Sequence, residues 1–574
     1  MKTLKGIAAS TGFAIGPVFL YKREEIQIES CQVEDVSTEW LRLEDALSIA
    51  KEQLSQVYER AKQESGEDQA EIFFAQSLIL EDPELLDMVR NTLFDKKVSV
   101  EFALHSGIEN YACILEGLED EYLRARALDV RDSGNRILRI LLGIAESPTA
   151  NLKEKSIILA KDLTPSDTVL IDKNHLMGFC IAQGGATSHT AILARGLGLP
   201  AVVGAGDETM LVNNGDLAIL NGSDGLLILN PSPEVLEEYR LKLQHFEQIM
   251  KKSLEKTREP AITTDGHRVE VVANIGSVEN AKSALDLGAE GVGLLRSEFL
   301  YLERNNLPTE EEQYQSYKTI ADTFGQLPVV LRSLDIGGDK ELTYLTLPVE
   351  ANPFLGVRAI RLCFTRPDIF KPQLRAALRA GVGNGLKLMF PMVATVQEVR
   401  QARAMLEECR RELKAEGVAV ADKMEIGIMI EIPSAAVIAD HLAKEIDFFS
   451  IGTNDLSQYT LAADRTNANV AHIASSFHPA VLRLIKMVID AAHKEGKWVG
   501  MCGELAGEPM AIPILLGMGL DEFSMNSPAI PIAKQIIRTI SMVEAKAIAE
   551  IALDLEDAEQ IQTFVRDTLP LVNF

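Results

Sequence analysis

The sequence predicts an α/β multidomain protein, with a C-terminal (β/α)8 TIM barrel and an N-terminal β/α domain that carries an inserted α-helical bundle. Three observations predict this architecture. The chain has 574 residues, more than one hydrophobic core usually holds. Beyond residue 261, eight short apolar stretches alternate with amphipathic helical patterns, as in a parallel barrel. Before residue 148, most apolar residues follow the helical period instead.

Residues 21–147 are predicted to be helical. Trp40, Leu43, Leu47 and Leu54 recur at steps of three, four and seven residues, which places them on one face of a long helix. Similar patterns continue to residue 147, and the segment is rich in acidic residues. A bundle of this kind is either plain scaffold or a docking surface for a partner, and composition does not choose between the two.

Residues 148–230 change to short apolar strands separated by glycine and proline turns, such as SIILAKDL, PAVVG and LAILNG. This pattern indicates a compact β/α unit. Residues 1–20 are expected to form a short strand pair that joins this unit. Residues 231–260 form a charged helical stretch that ends at Pro260, and we interpret them as a linker helix in front of the barrel of residues 261–574.

The barrel prediction also locates a candidate site. The predicted strands are 269–274, 291–296, 329–335, 387–393, 425–431, 447–452, 497–503 and 522–526. Active groups of such barrels lie at the C-terminal ends of the strands. Those ends and the segments beyond them carry these candidates: Arg296, Arg332, Lys340, Arg358, Glu431, Asn454, Asp455, Arg465 and Cys502.

The residue types at this end of the barrel indicate the chemistry of the ligand. Several guanidinium groups suit a compound with many anionic oxygens, because the planar fork binds phosphate or carboxylate in a bidentate manner. Two carboxylates, Glu431 and Asp455, suit Mg²⁺, which prefers one or two protein carboxylates together with substrate oxygens. The alternative is that these side chains only cap strands and pair with one another. Their occurrence at five of eight strands favours a metal-assisted site for a small phosphorylated, carboxylated compound.

A second candidate lies in GGATSHTAILARGLGLPAVVG, residues 184–204. Thr187 or Ser188 can cap a helix that begins near His189, and Gly184 and Gly185 allow close approach of the backbone. Helix N-termini attract anions, so an imidazole there is placed to carry a phosphoryl group. A capping or core histidine is the alternative interpretation.

The composition narrows the classes of function. The net charge of −27 argues against binding to nucleic acid or to anionic membranes by bulk charge. No uninterrupted apolar run is long enough for a transmembrane helix, and glycine and proline interrupt the N-terminal apolar stretch before it could serve as a signal peptide. The six cysteines are scattered, which favours reduced thiols and a cytoplasmic location.

The motifs are specific enough to identify a family. GGATSHTAILARGLGLPAVVG resembles the phosphohistidine signature of the phosphoenolpyruvate-utilising enzymes, and DFFSIGTNDLSQYTLAADR resembles their second signature. Together with GLLRSEFL, RSLDIGGDKEL, NPFLGVRAIR, IGIMIEIPSA and GMCGELAG, they are similar to the Enzyme I branch of that family, which serves bacterial phosphotransferase systems. The resemblance covers nearly the whole chain.

The resemblance implies a role for each candidate. His189 would be the nucleophile and carry the phosphoryl group, with Thr168 as its hydrogen-bond partner, and Cys502 would protonate the enolate carbon to release pyruvate. Glu431 and Asp455 would hold Mg²⁺. The residues implied in phosphoenolpyruvate binding are Arg296, Arg332, Lys340, Arg358, Asn454, Asp455 and Arg465.

The resemblance also implies a division of labour among domains. Residues 1–20 and 148–230 would form a swivelling phosphohistidine domain, and residues 21–147 would dock the phosphocarrier HPr, which accepts the phosphoryl group on its own histidine. Residues 261–574 would bind phosphoenolpyruvate and form a homodimer. Because one histidine must serve two sites, we expect the linker helix, residues 231–260, to act as a hinge.

Two positions depart from the family pattern. Ala186 stands where this branch commonly has arginine, which leaves transfer rates open. Gln76 stands where histidine is frequent on the docking domain, so the resemblance does not fix which partner the domain prefers.

Alternative functions are less consistent with the sequence. A dikinase is disfavoured because the chain has no G-x-x-x-x-G-K-[ST] loop. A purely regulatory sensor is disfavoured because binding alone needs neither a nucleophile nor an acid. A paralogue of the same reaction in a nitrogen-related or sugar-specific branch is the remaining alternative.

Overall fold

The computed structural model divides the chain into two compact units, Met1–Leu243 and Gln244–Phe574. It describes residues 1–22, 28, 30–65, 73, 76–80, 82–117, 121–144, 152, 154–163, 167–168, 171–172, 174–184, 190–191, 193–194, 198–302, 304, 306–338, 342, 344–345, 350–465, 467 and 470–569. The predicted fold class is confirmed, whereas the finer division into three domains and a linker helix stays a prediction.

Four helices make up most of the described part of the predicted helical segment. Their bounds are Val36–Ser65, Pro83–Lys96, Val100–Glu116 and Glu121–Leu141. The predicted apolar face is correct in its main features, because Leu43 and Leu54 are fully buried in the core of these helices and Trp40 packs against it. Across all described helices of the chain, none has the length and apolar character that crossing a membrane requires.

The rest of the first unit is built on an eight-stranded mixed sheet. The strands are β1 (Lys2–Lys5), β2 (Ile7–Ser10), β3 (Phe13–Tyr21), β4 (Ser156–Ala160), β5 (Leu176–Ile181), β6 (Ala201–Val203), β7 (Leu217–Asn221) and β8 (Leu226–Leu229). Their order in the sheet is β1-β8-β7-β3-β4-β5-β6-β2.

The expectation of an N-terminal strand pair is wrong in its pairing. The first 21 residues form three strands, and none of them pairs with another. β1 pairs with β8, β2 with β6, and β3 lies between β4 and β7. Gly12 separates β2 from β3 with φ of 116°, a conformation that glycine adopts readily. The three strands therefore diverge, and each is completed by a strand roughly 140 to 230 residues later in sequence.

The predicted linker helix spans Pro233–Glu255. In the first unit, its Tyr239 is buried with Ile219 and Ile228, and the Tyr239 hydroxyl lies 3.3 Å from Nδ2 of Asn221. In the second unit, its Ile249 belongs to the barrel core. The prediction of a helix at this position is confirmed, and its role as a hinge stays a prediction.

The second unit is a closed barrel of eight parallel strands, as predicted. The strands are β10 (Arg268–Ile275), β11 (Val292–Arg296), β12 (Val329–Arg332), β13 (Leu386–Phe390), β14 (Ile426–Ile430), β15 (Phe448–Ile451), β16 (Trp498–Met501) and β17 (Glu522–Met525), preceded by the two-residue strand β9 (Ala261–Ile262). β10 pairs with both β11 and β17, which closes the barrel.

Helices follow the strands and cover the outside of the barrel. Their bounds are Val278–Asp286, Glu310–Phe324, Ile360–Thr365, Pro367–Ala380, Val396–Ala415, Pro433–Val437, Ala439–Leu442, Thr453–Leu461, Pro479–Lys494, Ile512–Met518, Ile530–Thr539, Met542–Asp554 and Ala558–Thr568. A small apolar cluster of alternate strand residues fills the interior: Leu294, Val330, Met389, Met429, Phe448 and Cys502. The interior is therefore packed, and ligand chemistry is confined to the ends of the barrel.

Candidate active site

The C-terminal ends of the barrel strands bring most of the predicted site residues to one face. Arg296 and Arg332 are the last residues of β11 and β12. Glu431 follows β14, and Cys502 follows β16. Asn454 and Asp455 open the helix that follows β15. Because all eight strands run in one direction, these side chains meet at the same mouth.

Arg332 is held by two buried carboxylates. Its Nη2 donates to Oε1 of Glu298 at 3.0 Å, and its Nη1 lies 3.1 Å from Oδ2 of Asp335. All three side chains are buried. Burial lowers the pKa of Arg332, but the attraction of Glu298 and Asp335 outweighs burial and raises the pKa above its ordinary value. The guanidinium is therefore a fixed, permanent positive charge.

Arg358 shares one of these carboxylates. Its Nη2 donates to both oxygens of Asp335, at 2.9 and 3.0 Å, and its Nε donates to Oδ1 at 3.2 Å. The remaining nitrogen, Nη1, lies 3.3 Å from the hydroxyl of Tyr459 and 3.8 Å from Oδ1 of Asp455. Burial opposes the charge, but Asp335 and Asp455 raise the pKa of Arg358. Nε and Nη2 of the guanidinium therefore bind Asp335, and Nη1 faces Tyr459 and Asp455 at the mouth.

Glu431 and Asp455 carry the feature that a cation site requires. Among the described residues, neither Oε2 of Glu431 nor Oδ1 of Asp455 accepts a hydrogen bond, although both atoms are buried. Burial, followed by repulsion from Asp455 and Asp335, raises the pKa of Glu431 to about 8. A buried carboxylate whose charge is destabilised by a neighbouring carboxylate fits a divalent cation, which would relieve that repulsion.

The carboxylate pair is small for a metal site made by protein alone. No group of three or more histidine, cysteine, aspartate or glutamate side chains in the described part of the chain has the arrangement of a metal centre. A cation held by Glu431 and Asp455 would complete its coordination with substrate oxygens and water, which is the usual mode for Mg²⁺. Oε1 of Glu431 accepts from the backbone N–H of Met392 at 2.5 Å, which orients the carboxylate.

Three further predicted residues lie at the same mouth. Nη2 of Arg465 lies 3.6 Å from Oδ1 of Asp455. Oδ1 of Asn454 accepts from the backbone N–H of Glu504 at 3.1 Å. Arg296 is exposed to solvent, yet the enclosing protein and the charge of Arg332 lower the pKa of its guanidinium. An anionic ligand at Arg296 would offset both the loss of solvation and the repulsion from Arg332.

Cys502 is a protonated thiol in this environment. Its Sγ is buried 3.9 Å from the carbonyl oxygen of Ile451, and its backbone carbonyl accepts from Nδ2 of Asn274 at 3.0 Å. Burial raises the pKa of Cys502 to about 11, although Ser450 and Arg332 lower it in part. At neutral pH the group is therefore able to donate a proton and is not a standing thiolate nucleophile.

The other residues singled out in the sequence either lie outside the described residues or belong to the first unit. His189, Lys340 and Ala186 lie outside the described residues. Thr168 belongs to the first unit and is buried, and its carbonyl accepts from the N–H of Ile171. Gln76 is buried among the helices, where its Nε2 donates to Asp132 at 3.2 Å.

Sequence reasoning missed the carboxylates that hold the arginines. Glu298 follows Arg296 by two residues in GLLRSEFL, and Asp335 follows Arg332 by three in RSLDIGGDKEL. Both lie inside motifs that resemble those of the family. An acidic residue next to each strand-end arginine was the available signal, since buried guanidinium groups need carboxylate partners.

Comparison with known proteins gives matches to three family models along the chain. The N-terminal model of the PEP-utilising enzymes matches residues 5–126, the mobile-domain model residues 152–225, and the PEP-binding-domain model residues 250–542. The matched segments together cover most of the sequence, including the helical segment, the first-unit sheet and the barrel.

Curated relatives match over the full length. A phosphoenolpyruvate-protein phosphotransferase of Geobacillus stearothermophilus is 50% identical over 570 residues, which are 99% of both chains. One of Bacillus sp. (strain S) is 49% identical over 570 residues, again 99% of both. An NMR solution structure of Enzyme I (nEIt) is 42% identical, covers 42% of this chain and 99% of its own, and has a TM-score of 0.39.

Proposed function

The chain belongs to the family of phosphoenolpyruvate-protein phosphotransferases, and from that premise we propose how it works. It takes the phosphoryl group of phosphoenolpyruvate onto His189, releases pyruvate, and passes the group to the histidine of the phosphocarrier HPr. This is the first step of phosphoenolpyruvate-dependent sugar uptake. The observation that carries the proposal is the set of fixed arginines, buried carboxylate oxygens that accept no hydrogen bond from the described residues, and a protonated thiol at one barrel mouth.

Each group at the mouth suits one part of the substrate. Phosphoenolpyruvate carries a phosphate and a carboxylate, and the guanidinium groups supply permanent positive charge for both. Arg296 is accessible, and Arg332 and Arg358 are held in place by buried carboxylates. Lys340, Asn454, Asp455 and Arg465 complete the proposed binding set. Transfer of a phosphoryl group depends mainly on positioning and charge stabilisation, which these residues provide.

The proposed reaction balances with two residues of the chain. The neutral imidazole of His189, with Thr168 as its partner, attacks phosphorus. The bond between phosphorus and the enol oxygen breaks while the bond between phosphorus and nitrogen forms. The enolate then takes a proton from the Cys502 thiol at carbon and leaves as pyruvate. The thiol pKa of about 11 keeps that proton in place until the enolate forms.

Glu431 and Asp455 would hold Mg²⁺, whose contribution when bound is to neutralise phosphate charge. Both carboxylates lie beside Arg358, so they share the electrostatic environment of the substrate. In this proposal the chain requires added Mg²⁺, and chelation abolishes phosphoryl transfer.

Docking, assembly and location are also parts of the proposal. The helical segment exposes large apolar side chains, among them Leu41, Leu78 and Ile114, which suit a docking surface for HPr. The barrel exposes Leu355 and Val437, which suit an interface between two copies. All six cysteines are free thiols, as expected in the reducing cytoplasm.

A labelling experiment tests the proposed function. The protein is mixed with radiolabelled phosphoenolpyruvate, Mg²⁺ and each member of a panel of small phosphocarriers. We expect label to reach HPr in a Mg²⁺-dependent manner while pyruvate accumulates in equal amount. Labelling from ATP in place of phosphoenolpyruvate, or pyruvate release without any labelled protein, would refute the proposal.

A further inference from the structure

We propose that Asp335 is a positioning residue, which rests on the proposed function and specifies how its substrate-binding arginines are set. Asp335 joins Arg332 and Arg358 into one rigid pair and leaves a defined edge of Arg358 facing the mouth. Asp335 acts through the two arginines and is not itself proposed to contact the substrate.

The contacts show that Asp335 bridges two arginines and is not part of a simple ion pair. Asp335 receives three contacts from Arg358 within 3.2 Å and one from Arg332 at 3.1 Å. Its side chain is 2% exposed, and those of both arginines are below 10%. A carboxylate that is bonded by both forks restricts both guanidinium planes at once, because each fork is itself rigid.

The balance of charge explains why this bridge matters to the mouth. Among the described residues, two buried cations, Arg332 and Arg358, contact two buried anions, Glu298 and Asp335, so the charges of these four groups balance. Nη1 of Arg358 already lies 3.8 Å from Oδ1 of Asp455, a described carboxylate outside this set of four. Without the charge of Asp335, we expect Arg358 to turn toward Asp455 and occupy the carboxylate that the cation needs.

The loop that carries Asp335 is fixed from several sides. The backbone N–H of Asp335 donates to Oε1 of Glu298 at 2.9 Å, and that of Leu334 donates to Gln373 at 2.9 Å. The carbonyl of Ile336 accepts from the N–H next to Arg358, that of Ala359, at 3.0 Å. The Asp335 side chain and the Arg358 backbone therefore move as one piece, which is what a positioning role requires.

A double-mutant cycle tests the proposal. Asp335→Asn keeps the shape of the side chain and removes its charge. We expect the KM for phosphoenolpyruvate to rise about 10- to 100-fold with a smaller change in kcat, since misplacement of a binding group costs on this scale. An Arg358→Lys background lacks the planar guanidinium that Asp335 orients. In that background, Asp335→Asn should change kcat/KM by less than about threefold.

Controls separate positioning from folding. Asp368→Asn removes an exposed carboxylate that is bonded by two nitrogens of Arg366, at 2.9 and 2.7 Å, and should leave kinetics unchanged. If Asp335→Asn does not fold, Glu298→Gln is measured instead, in wild-type and Arg332→Lys backgrounds, with the same expectation. Glu298 then reports on the same set of four groups through Arg332.

The outcomes are distinct. A raised KM that disappears in the Arg358→Lys background supports the proposal. An unchanged KM with fewer active molecules, or equal losses in both backgrounds, overturns it while the proposed function stands. Failure of the wild-type chain to release pyruvate from phosphoenolpyruvate overturns both.

Discussion

Glu522 makes the stability of the barrel depend on pH in an unusual direction. It is the first residue of β17, is 2% exposed, and neither of its carboxylate oxygens accepts a hydrogen bond from the described residues. Glu270 is its register partner on β10. Burial, followed by repulsion from Glu270, raises the pKa of Glu522 from 4.5 to about 8.

The size of the effect follows from that pKa. Between pH 4.5 and about 8 the folded chain holds a proton on Glu522 that the unfolded chain has released. Glu522 therefore does not lower the free energy of unfolding below pH 4.5. The free energy of unfolding falls as the pH rises from 4.5 to about 8. At about 1.4 kcal/mol per pH unit, the loss between pH 5 and pH 7 is about 3 kcal/mol.

Glu522→Gln removes the titrating group and should flatten this part of the profile. The chain has two tryptophans, so a Trp40→Phe background leaves Trp498, which stacks on Phe448 at 4.4 Å inside the barrel, as the reporter. Urea unfolding of the barrel is then followed by fluorescence at several pH values. The free energy of unfolding of the variant, relative to that of its parent, should rise by about 3 kcal/mol between pH 5 and pH 7.

Exposed Glu495 provides the matched control, since Glu495→Gln should leave the slope of stability against pH unchanged. If the free energies of unfolding of Glu522→Gln and its parent differed by the same amount at every pH between 5 and 7, the assignment of a protonated, buried carboxyl group would be refuted.

Further predictions concern the active site and the linker. Gly337→Ala places a Cβ 2.6 Å from Cβ of Arg358 at a backbone φ of 109°, so we expect a raised KM for phosphoenolpyruvate in steady-state assays. The control is Gly383→Ala, where φ is 80° and no atom of the described residues lies near the new Cβ, and its kinetics should be normal. Cys502→Ser should slow pyruvate release about 100-fold or more in a coupled assay, because a hydroxyl is a poorer acid, while Cys409→Ser should not. If the linker helix acts as a hinge, small-angle scattering should change on addition of phosphoenolpyruvate and Mg²⁺, and an unchanged envelope would contradict that role.

The barrel was predictable from sequence because its strands are buried on both faces. In the stretch DFFSIG, residues 447–452, the apolar residues Phe448, Phe449 and Ile451 are fully buried, and the observed strand is Phe448–Ile451. The site followed from the same property, since the residue after each apolar run lies at the mouth. The ends of the apolar runs therefore indicated Arg332, Glu431 and Cys502.

Contacts between distant parts of the chain were not predictable in this way. Lys2 pairs with Leu229, and the N-terminal strands themselves carry no mark of such partners. Arg358 meets Tyr459 across 101 residues only because the barrel closes. Glu522 opens a strand, where a charged residue usually indicates an exposed end, yet it is buried.

The central claim is that one imidazole carries the phosphoryl group between the barrel and the carrier. The most direct measurement locates the phosphoryl group after incubation with phosphoenolpyruvate and Mg²⁺, by mass spectrometry of peptides kept at alkaline pH. We predict acid-labile phosphate on His189 of the wild-type chain, and neither phosphopeptide nor carrier labelling with His189→Ala. Undiminished transfer to the carrier by His189→Ala would contradict the account.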